Sequence, residues 1–381
     1  MSSNFPPTPI RLGFFMTRGM SLEAWERNGL LDREAALYRR LQADGVEVGF
    51  VTYGGPEERN YASHLSGMRI LCNHWRLAPR LYERLLPCFH ARWLLRCDVV
   101  KSNQVQGAMV ALQAARLWRK PLVVRSGYLL SDFQANSEGN EAPSTHAAFK
   151  IEEEVFSAAQ RIVVTSPAMA ATVGSRIAGA AAKTSVIPNY VDTELFRPDS
   201  KVQKDIDVLF VGRLAPQKNI EALLAAVARL DVGVTMVGDG PKCDLVENAR
   251  ARLNGRLQWI ERVDHSELPA LMRRARAFIL PSLWEGHPKT LIEAMACGVP
   301  VIGGDVAGIH DLIRHGEDGW LCDIHPEAIG AAIEHILTNP EMARELGRKA
   351  RSRASAEFSL DRIAKRELSL LRETVVEWSG R

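Results

Sequence analysis

The stretch IDVLFVGRLAPQKNIEALLAAVARL, residues 206–230, decides the fold. Its first part, IDVLFVGRL (206–214), is a short apolar run rich in β-branched and aromatic residues, as in a buried strand. Its second part, NIEALLAAVARL (219–230), changes period, with apolar residues returning at spacings of three and four. A buried strand feeding through a short loop into an amphipathic helix opens a β–α–β unit.

The same alternation continues downstream. VGVTMVGDG (232–240), RLQWIERV (256–263), AFILPS (277–282) and PVIGG (300–304) read as strands with helical patterns between them. It also occurs upstream. IRLGFFM (10–16), VEVGFVTY (46–53), DVVKS (98–102), PLVVRS (121–126) and RIVVTS (161–166) read as strands, and LDREAALYRRLQA (31–43) as a helix. The first series closes at TSVIPNYVDTELFRP (184–198), where Pro188 and Pro198 break the periodicity. The polar DSKVQKD (199–205) precedes the restart. This pattern predicts an α/β protein of two doubly wound, Rossmann-like domains, 1–200 and 201–355, followed by a C-terminal helix within 356–381. Ligands of such folds bind at the carboxyl ends of the strands, and a cleft between two domains is favoured.

Bulk properties agree with this and exclude several classes. The 381 residues are too many for one ordinary core, and 46% hydrophobic with 24% charged residues is a globular composition. A net charge of +3 gives no reason to expect a nucleic-acid partner. No run approaches the roughly 18 apolar residues of a spanning helix. MSSNFPPTPIRLGFF lacks a basic start followed by an apolar stretch, so no secretory signal is expected. Six scattered cysteines without a C-x-x-C pair suit reduced thiols in the cytoplasm. Neither half carries G-x-G-x-x-G after its first strand, which disfavours a dinucleotide dehydrogenase, and the G-x-S-x-G of a serine hydrolase is missing.

Two carboxylates stand out in LWEGHPKTLIEAMACGVPVIG (283–303). Pro288 suits the first position of a helix, with His287 at the cap and Gly298 beyond the end. The amides of Lys289, Thr290 and Leu291 then point out of the helix N-terminus, where the partial positive charge favours a phosphate. Glu293, one turn inside, is placed to accept hydrogen bonds from a polyol such as ribose, and Glu285 to face another part of the same ligand. A glutamate in a first turn also serves simply as a dipole partner. Upstream, VGRLAPQKN (211–219) brings Arg213 and Lys218 to one strand end. A guanidinium fork and an ammonium together suit a diphosphate, although solvated charges on a loop would read the same way.

VIPNYVDTELFRP, VGRLAPQKN, VGDGP (237–241), the E-x7-E pair Glu285 and Glu293, and GEDGWL (316–321) occur in an order that resembles the retaining glycosyltransferases of family four, glycosyl transferases group 1. The resemblance is strong from about 161 to 325. It implies the GT-B fold, two Rossmann-like domains facing across a cleft, with the acceptor on the first domain and the nucleotide sugar on the second. It implies catalytic roles for Arg213 and Lys218 on the donor diphosphate and for Glu285 near the anomeric centre. Glu293 would hold ribose, residues His287 to Leu291 the sugar and phosphate oxygens, and Gly238 a turn beside the donor. Arg262 and Val263, in ERV (261–263), would border the base. UDP is the usual donor nucleotide, with GDP the alternative. No metal or other cofactor is implied, and the D-x-D-like Asp205 and Asp207 are read as solvent-facing. The acceptor would be a saccharide or lipid-linked hydroxyl, in cell-surface polysaccharide or glycolipid synthesis. A front-face mechanism and a covalent intermediate both stay open. The C-terminal FSLDRIAKRELSLLRETVVEW (358–378) would cross back to the first domain. An epimerase, a phosphorylase or a non-catalytic nucleotide-sugar binder on the same architecture are the alternatives.

The first domain departs from the family pattern. FFMTRGMSLEAW (14–25) has Gly19 but no glycine pair, and LVVRSGYLLSDF (122–133) has no histidine where many members carry one. Arg125, Ser126 and Tyr128 stand there instead, as substitutes or as packing residues. RILCNHWRLAPRLYERLLPCFHARWLLR (69–96) interleaves six arginines and one glutamate with aromatic and aliphatic residues. Two readings fit it. One is a pair of packed helices with solvated arginines. The other is peripheral contact with the inner face of the plasma membrane.

Overall fold

The computed structural model describes residues 9–380. Residues 1–8, on which the expectation of no secretory signal partly rests, lie outside the described residues. The chain forms two compact units. One holds the residues up to Pro188 and those from Ile363 onward; the other is Asn189–Arg362.

In the first unit seven parallel strands form one sheet: β1 Ile10–Phe15, β2 Val46–Val51, β3 Arg69–Leu71, β4 Val99–Ser102, β5 Leu122–Ser126, β6 Arg161–Val164 and β7 Thr184–Val186. Their order is β3-β2-β1-β4-β5-β6-β7. β4 is buried along its whole length, Lys101 and Ser102 included, and the runs Phe14–Phe15 of β1, Leu122–Val124 of β5 and Ile162–Val164 of β6 are apolar and buried, as a parallel sheet covered on both faces requires. The second unit repeats the design with β8 Ile206–Val211, β9 Val234–Val237, β10 Leu257–Ile260, β11 Ala275–Leu280, β12 Val301–Gly304 and β13 Trp320–Cys322, in the order β10-β9-β8-β11-β12-β13. Both sheets reverse direction once, between β1 and β4 in the first and between β8 and β11 in the second. In such sheets that reversal opens a crevice at the carboxyl ends of the two strands.

Three strands were not foreseen: β3, β7 and β13. Each is three residues long and ends its sheet, so one side of it lacks a neighbour. A three-residue, partly exposed edge strand is too short to display a period. The boundary also differs from the expected position near 200. Val191 hydrogen-bonds through its backbone to Phe358 and Leu360, and Val191 and Phe196 belong to the second core, so the chain has entered the second unit before the polar stretch begins.

The helix Leu360–Ser379 buries Ile363, Ala364, Leu368 and Leu371. From Ile363 on it is part of the first unit. There Glu367 accepts a 2.7 Å hydrogen bond from Lys101 of β4, with both side chains buried.

Candidate active site

The second unit gathers its candidate residues on the loops that leave the carboxyl ends of its strands. After β8 the chain turns through Gly212 and Arg213 into a single tight turn, Pro216–Lys218, and then into the helix Ile220–Ala228. Asn219 sits between them in the left-handed conformation, φ 54°, and its side-chain amide donates to the carbonyl of Ile324 at 2.7 Å. The loop after β9 lies directly against this one. Leu214 N–H donates to Asp239 at 2.9 Å and Lys242 N–H to Leu214 at 2.9 Å. Gly238, at φ +143°, is required by that approach, because a Cβ there would fall 1.9 Å from the Gly212 carbonyl oxygen. The Trp259 indole on β10 donates to the Gly238 carbonyl at 2.9 Å, tying a third strand to the same turn.

The loop after β11 is fastened to the loop after β8 by its backbone and by charge. Leu283 N–H donates to the Gln217 carbonyl, and the Gln217 side chain donates to the Trp284 carbonyl, both at 2.8 Å. Lys218 forms an ion pair with Glu285 Oε1, and Ser282 Oγ donates to the same oxygen at 2.7 Å. The Lys218 and Glu285 side chains are only 14% and 7% exposed. The pair therefore spans the point where the strand order reverses, the expected ligand crevice of such a sheet. Arg213 is on the same loop but exposed. Asp239 is held below the usual carboxylate range by the Cys243 thiol and the Gly240 N–H that donate to it, with Arg213 adding a favourable field.

The helix that follows is Lys289–Ala296. Pro288 is its cap, φ −67° and ψ 118°, and His287 precedes the cap, one position earlier than sequence suggested. No side chain caps this end, and the first-turn amides of Lys289, Thr290 and Leu291 have no acceptor inside the helix. Leu291 is buried in the core. Lys289 lies 4.9 Å over the Tyr190 ring. His287 is buried, its ring edge-on to Phe358 at 5.4 Å and its carbonyl accepting from the Asn189 side chain at 2.6 Å. Gly298, φ +70°, follows the helix as foreseen.

Glu293 is 1% exposed, and its Oε1 is 3.0 Å from His265 Nε2. His265 comes from the loop after β10, and its ring packs on Phe196 at 5.0 Å. On that loop Arg262 is exposed and Val263 packs against the core. Sequence reasoning missed His265, Ser282 and Asn189. The only trace of His265 was its position two residues beyond ERV; Ser282 and Asn189 are common polar residues with no local signature.

Asp205 and Asp207, read as solvent-facing, both carry partners: Asp205 binds Arg274 through two 2.8 Å contacts, and Asp207 binds Arg276 and the Gly233 N–H. Among the described residues no group of three or more His, Cys, Asp or Glu is placed to hold a metal ion. In the first unit, Ser126 Oγ donates to the Tyr128 carbonyl at 2.5 Å, burial raises the Tyr128 hydroxyl pKa, and Arg125 is half-buried with an unfavourable field on Lys101.

Residues 35–195 match the model of Glycosyltransferase Family 4, and residues 191–353 that of glycosyl transferases group 1. Glycogen synthase of Mycobacterium tuberculosis is 26% identical over 284 residues, 71% of this chain and 67% of that protein. Among solved structures, sucrose-phosphate synthase of Thermosynechococcus elongatus superposes with a TM-score of 0.80 at 22% identity, covering 97% of this chain and all of that one. HepE of Anabaena, in complex with UDP, gives 0.76 at 20% identity over 96% of this chain. At these identities the structural likeness is one of fold, and that fold is GT-B. The two family models together account for residues 35–353, and the chain belongs to the group 1, family 4 glycosyltransferases, enzymes of GT-B fold that transfer a sugar from a nucleotide sugar to an acceptor.

Proposed function

We propose that this enzyme is a retaining, metal-independent glycosyltransferase. It takes its sugar from a UDP-sugar and delivers it to a hydroxyl of a saccharide or lipid-linked acceptor. The cytoplasmic assembly of a cell-surface polysaccharide or glycolipid is the setting we infer. The observation that carries the reading is the Lys218–Glu285 ion pair at the reversal of the second sheet, with Arg213 on the same loop. A cationic pair and a carboxylate so placed match the two charges that develop when a glycosyl–phosphate bond breaks.

In this scheme Arg213 and Lys218 receive the diphosphate and stabilise the negative charge that grows on it as the bond to the anomeric carbon lengthens. The first turn of the helix that begins at Lys289 adds its positive end. Glu285, still held by Ser282 when Lys218 turns to phosphate, faces the oxocarbenium-like sugar. Glu293, oriented by His265, accepts hydrogen bonds from the ribose hydroxyls. Arg262 and Val263 border the base, and Gly238 allows the loop after β9 to approach. The leaving phosphate takes the acceptor proton, so transfer occurs on the face the nucleotide leaves. The preference for UDP draws on the UDP of the HepE complex.

The test is a panel of UDP- and GDP-sugars offered with saccharide acceptors, in the presence of a chelator. Products are identified by mass spectrometry and their anomeric configuration by NMR. A new α-glycoside from an α-linked donor, made without metal, is expected. An inverted product rejects retention, loss of activity on chelation rejects metal independence, and conversion of the donor without an acceptor points to an epimerase. Tight donor binding with no nucleotide release would identify a non-catalytic binder.

A further inference from the structure

The segment 69–96 is partly core and partly exposed surface. It opens as the edge strand β3 and continues as two helices, Pro79–Phe89 and Ala91–Leu94. One side of the longer helix is core: Tyr82 and Leu86 are fully buried. A different side is not. Leu81, Leu85 and Phe89, spaced by four, fall on one line along the helix. Leu81 is 46% exposed and Phe89 37%. Trp75, 47% exposed, does not fold into the core but stacks on Phe89, ring centres 4.2 Å apart and planes at 27°. Leu95, just past the second helix, is also exposed.

Exposed arginines come from the same segment. Arg80 and Arg84 form the neighbouring row of the same helix, and Arg92 and Arg96 flank Leu95; all four are exposed. Arg69 is exposed as well, its guanidinium 5.1 Å from the Trp93 ring centre. The nearby acids are committed elsewhere: Glu83 to Arg18 and Glu57 to Arg76. Arg69, Arg80, Arg84, Arg92 and Arg96 make no ion pair among the described residues.

We propose that this surface docks on an anionic lipid bilayer. The apolar line would enter the interface between head groups and acyl chains, and the five arginines would meet lipid phosphates. An exposed aromatic–aliphatic line with unneutralised arginines from the same segment has the two complementarities such a surface demands, one to hydrocarbon and one to negative charge. A soluble polyanion would use the arginines and leave Leu81, Phe89 and Leu95 in water. Among the described residues no helix is long and apolar enough to cross a membrane, so the contact is peripheral. The inference holds whichever acceptor the enzyme uses.

The experiment is flotation of the full chain with vesicles of phosphatidylcholine alone or mixed equally with phosphatidylglycerol. Binding to the anionic vesicles at low salt is expected, with little to phosphatidylcholine alone, and weakening at roughly 0.5 M salt, where the Debye length falls to about 4 Å. Arg80→Glu with Arg84→Glu should weaken binding about tenfold or more, by the loss of two near-surface charges and the gain of two opposite ones. Trp75→Ser with Phe89→Ser should weaken it comparably. Arg250→Glu with Arg252→Glu, in the other unit, makes the same change of charge and should bind as the unaltered protein does; circular dichroism establishes that each variant folds. No binding at low salt, equal binding to both vesicle types, unchanged binding of either surface variant, or an equal loss in the control overturns the proposal. So does self-association without vesicle binding that Trp75→Ser with Phe89→Ser abolishes, which would assign the surface to a second copy of the chain.

Discussion

Lys218 and Glu285 join the two loops on either side of the strand reversal of the second sheet, and they do so as an ion pair with little solvent access. A carboxylate so enclosed needs a partner, because an uncompensated buried charge is strongly unfavourable. Glu285 has two, Lys218 and Ser282. Each charge is thus kept in place by the other.

Lys218 should therefore contribute twice, to turnover and to folding. Lys218→Ala is expected to lower kcat at saturating donor by about 2–4 kcal/mol of transition-state stabilisation. It should also destabilise the fold by roughly 3–5 kcal/mol, the usual cost of stranding a buried charge. Lys218→Met combined with Glu285→Gln should recover most of the stability and none of the activity. Arg213→Ala, at an exposed position, should weaken donor binding while stability changes by no more than about 0.5 kcal/mol. Steady-state kinetics and urea denaturation separate these effects. Unchanged turnover of Lys218→Ala would remove the residue from the reaction.

Glu293 and His265 give a prediction about binding. Glu293→Ala should raise the Kd for the nucleotide about tenfold or more, the loss of hydrogen bonds to a charged group costing roughly 1.5–3 kcal/mol. His265→Ala leaves the carboxylate but removes its 3.0 Å neighbour, so a smaller rise is expected. Titration calorimetry with UDP measures both. If Glu293→Ala binds UDP as tightly as the unaltered protein does, the carboxylate does not touch the ribose.

The fold was legible because long central strands and helices carry strong periods, as in residues 206–230 and in the helix Leu31–Ala43, whose limits agree with the sequence reading. What escaped was of two kinds. Short edge strands such as Thr184–Val186 bury too little to leave a pattern. Long-range partners leave none either: Ser282 and Glu285 are near in sequence, but His265 meets Glu293, and Lys101 meets Glu367, only through the fold. The composition of a segment likewise does not say which of its apolar residues face inward. Tyr82 and Leu81 are adjacent in sequence, yet one is core and the other exposed.

Gly308 makes a sharper test of the loop that carries Glu285. At φ +85° it approaches that loop so closely that a Cβ would fall 2.4 Å from the carbonyl oxygens of Glu285 and Gly286. Gly308→Ala should displace the loop and lower activity at least tenfold, by analogy with the loss that a misplacement of about 1 Å produces in a positioned site. Gly316 is the control. It has a similar φ of +74° with open space around the missing Cβ, so Gly316→Ala should cost only about 1 kcal/mol of stability and leave activity intact. Equal activity in the two variants would mean that Glu285 tolerates movement.

A pH dependence of stability should come from the first unit. His90 is buried, with Nε2 2.8 Å from the Tyr82 hydroxyl, and burial lowers its pKa from 6.5 to about 4. The unfolded chain takes up this proton near pH 6.5, whereas the folded chain resists it until about pH 4. Between those values the unfolded state binds more protons, so stability falls as pH falls through that window and is fully retained above it. At pH 5 the difference is about 1.5 pH units below the unfolded pKa, worth roughly 2 kcal/mol at 1.36 kcal/mol per unit. His90→Gln has no such proton to take up. Urea denaturation at pH 7 and pH 5 should show the unaltered protein losing about 2 kcal/mol more than the variant. An identical loss in both would mean that His90 is protonated as readily in the folded chain as in the unfolded one.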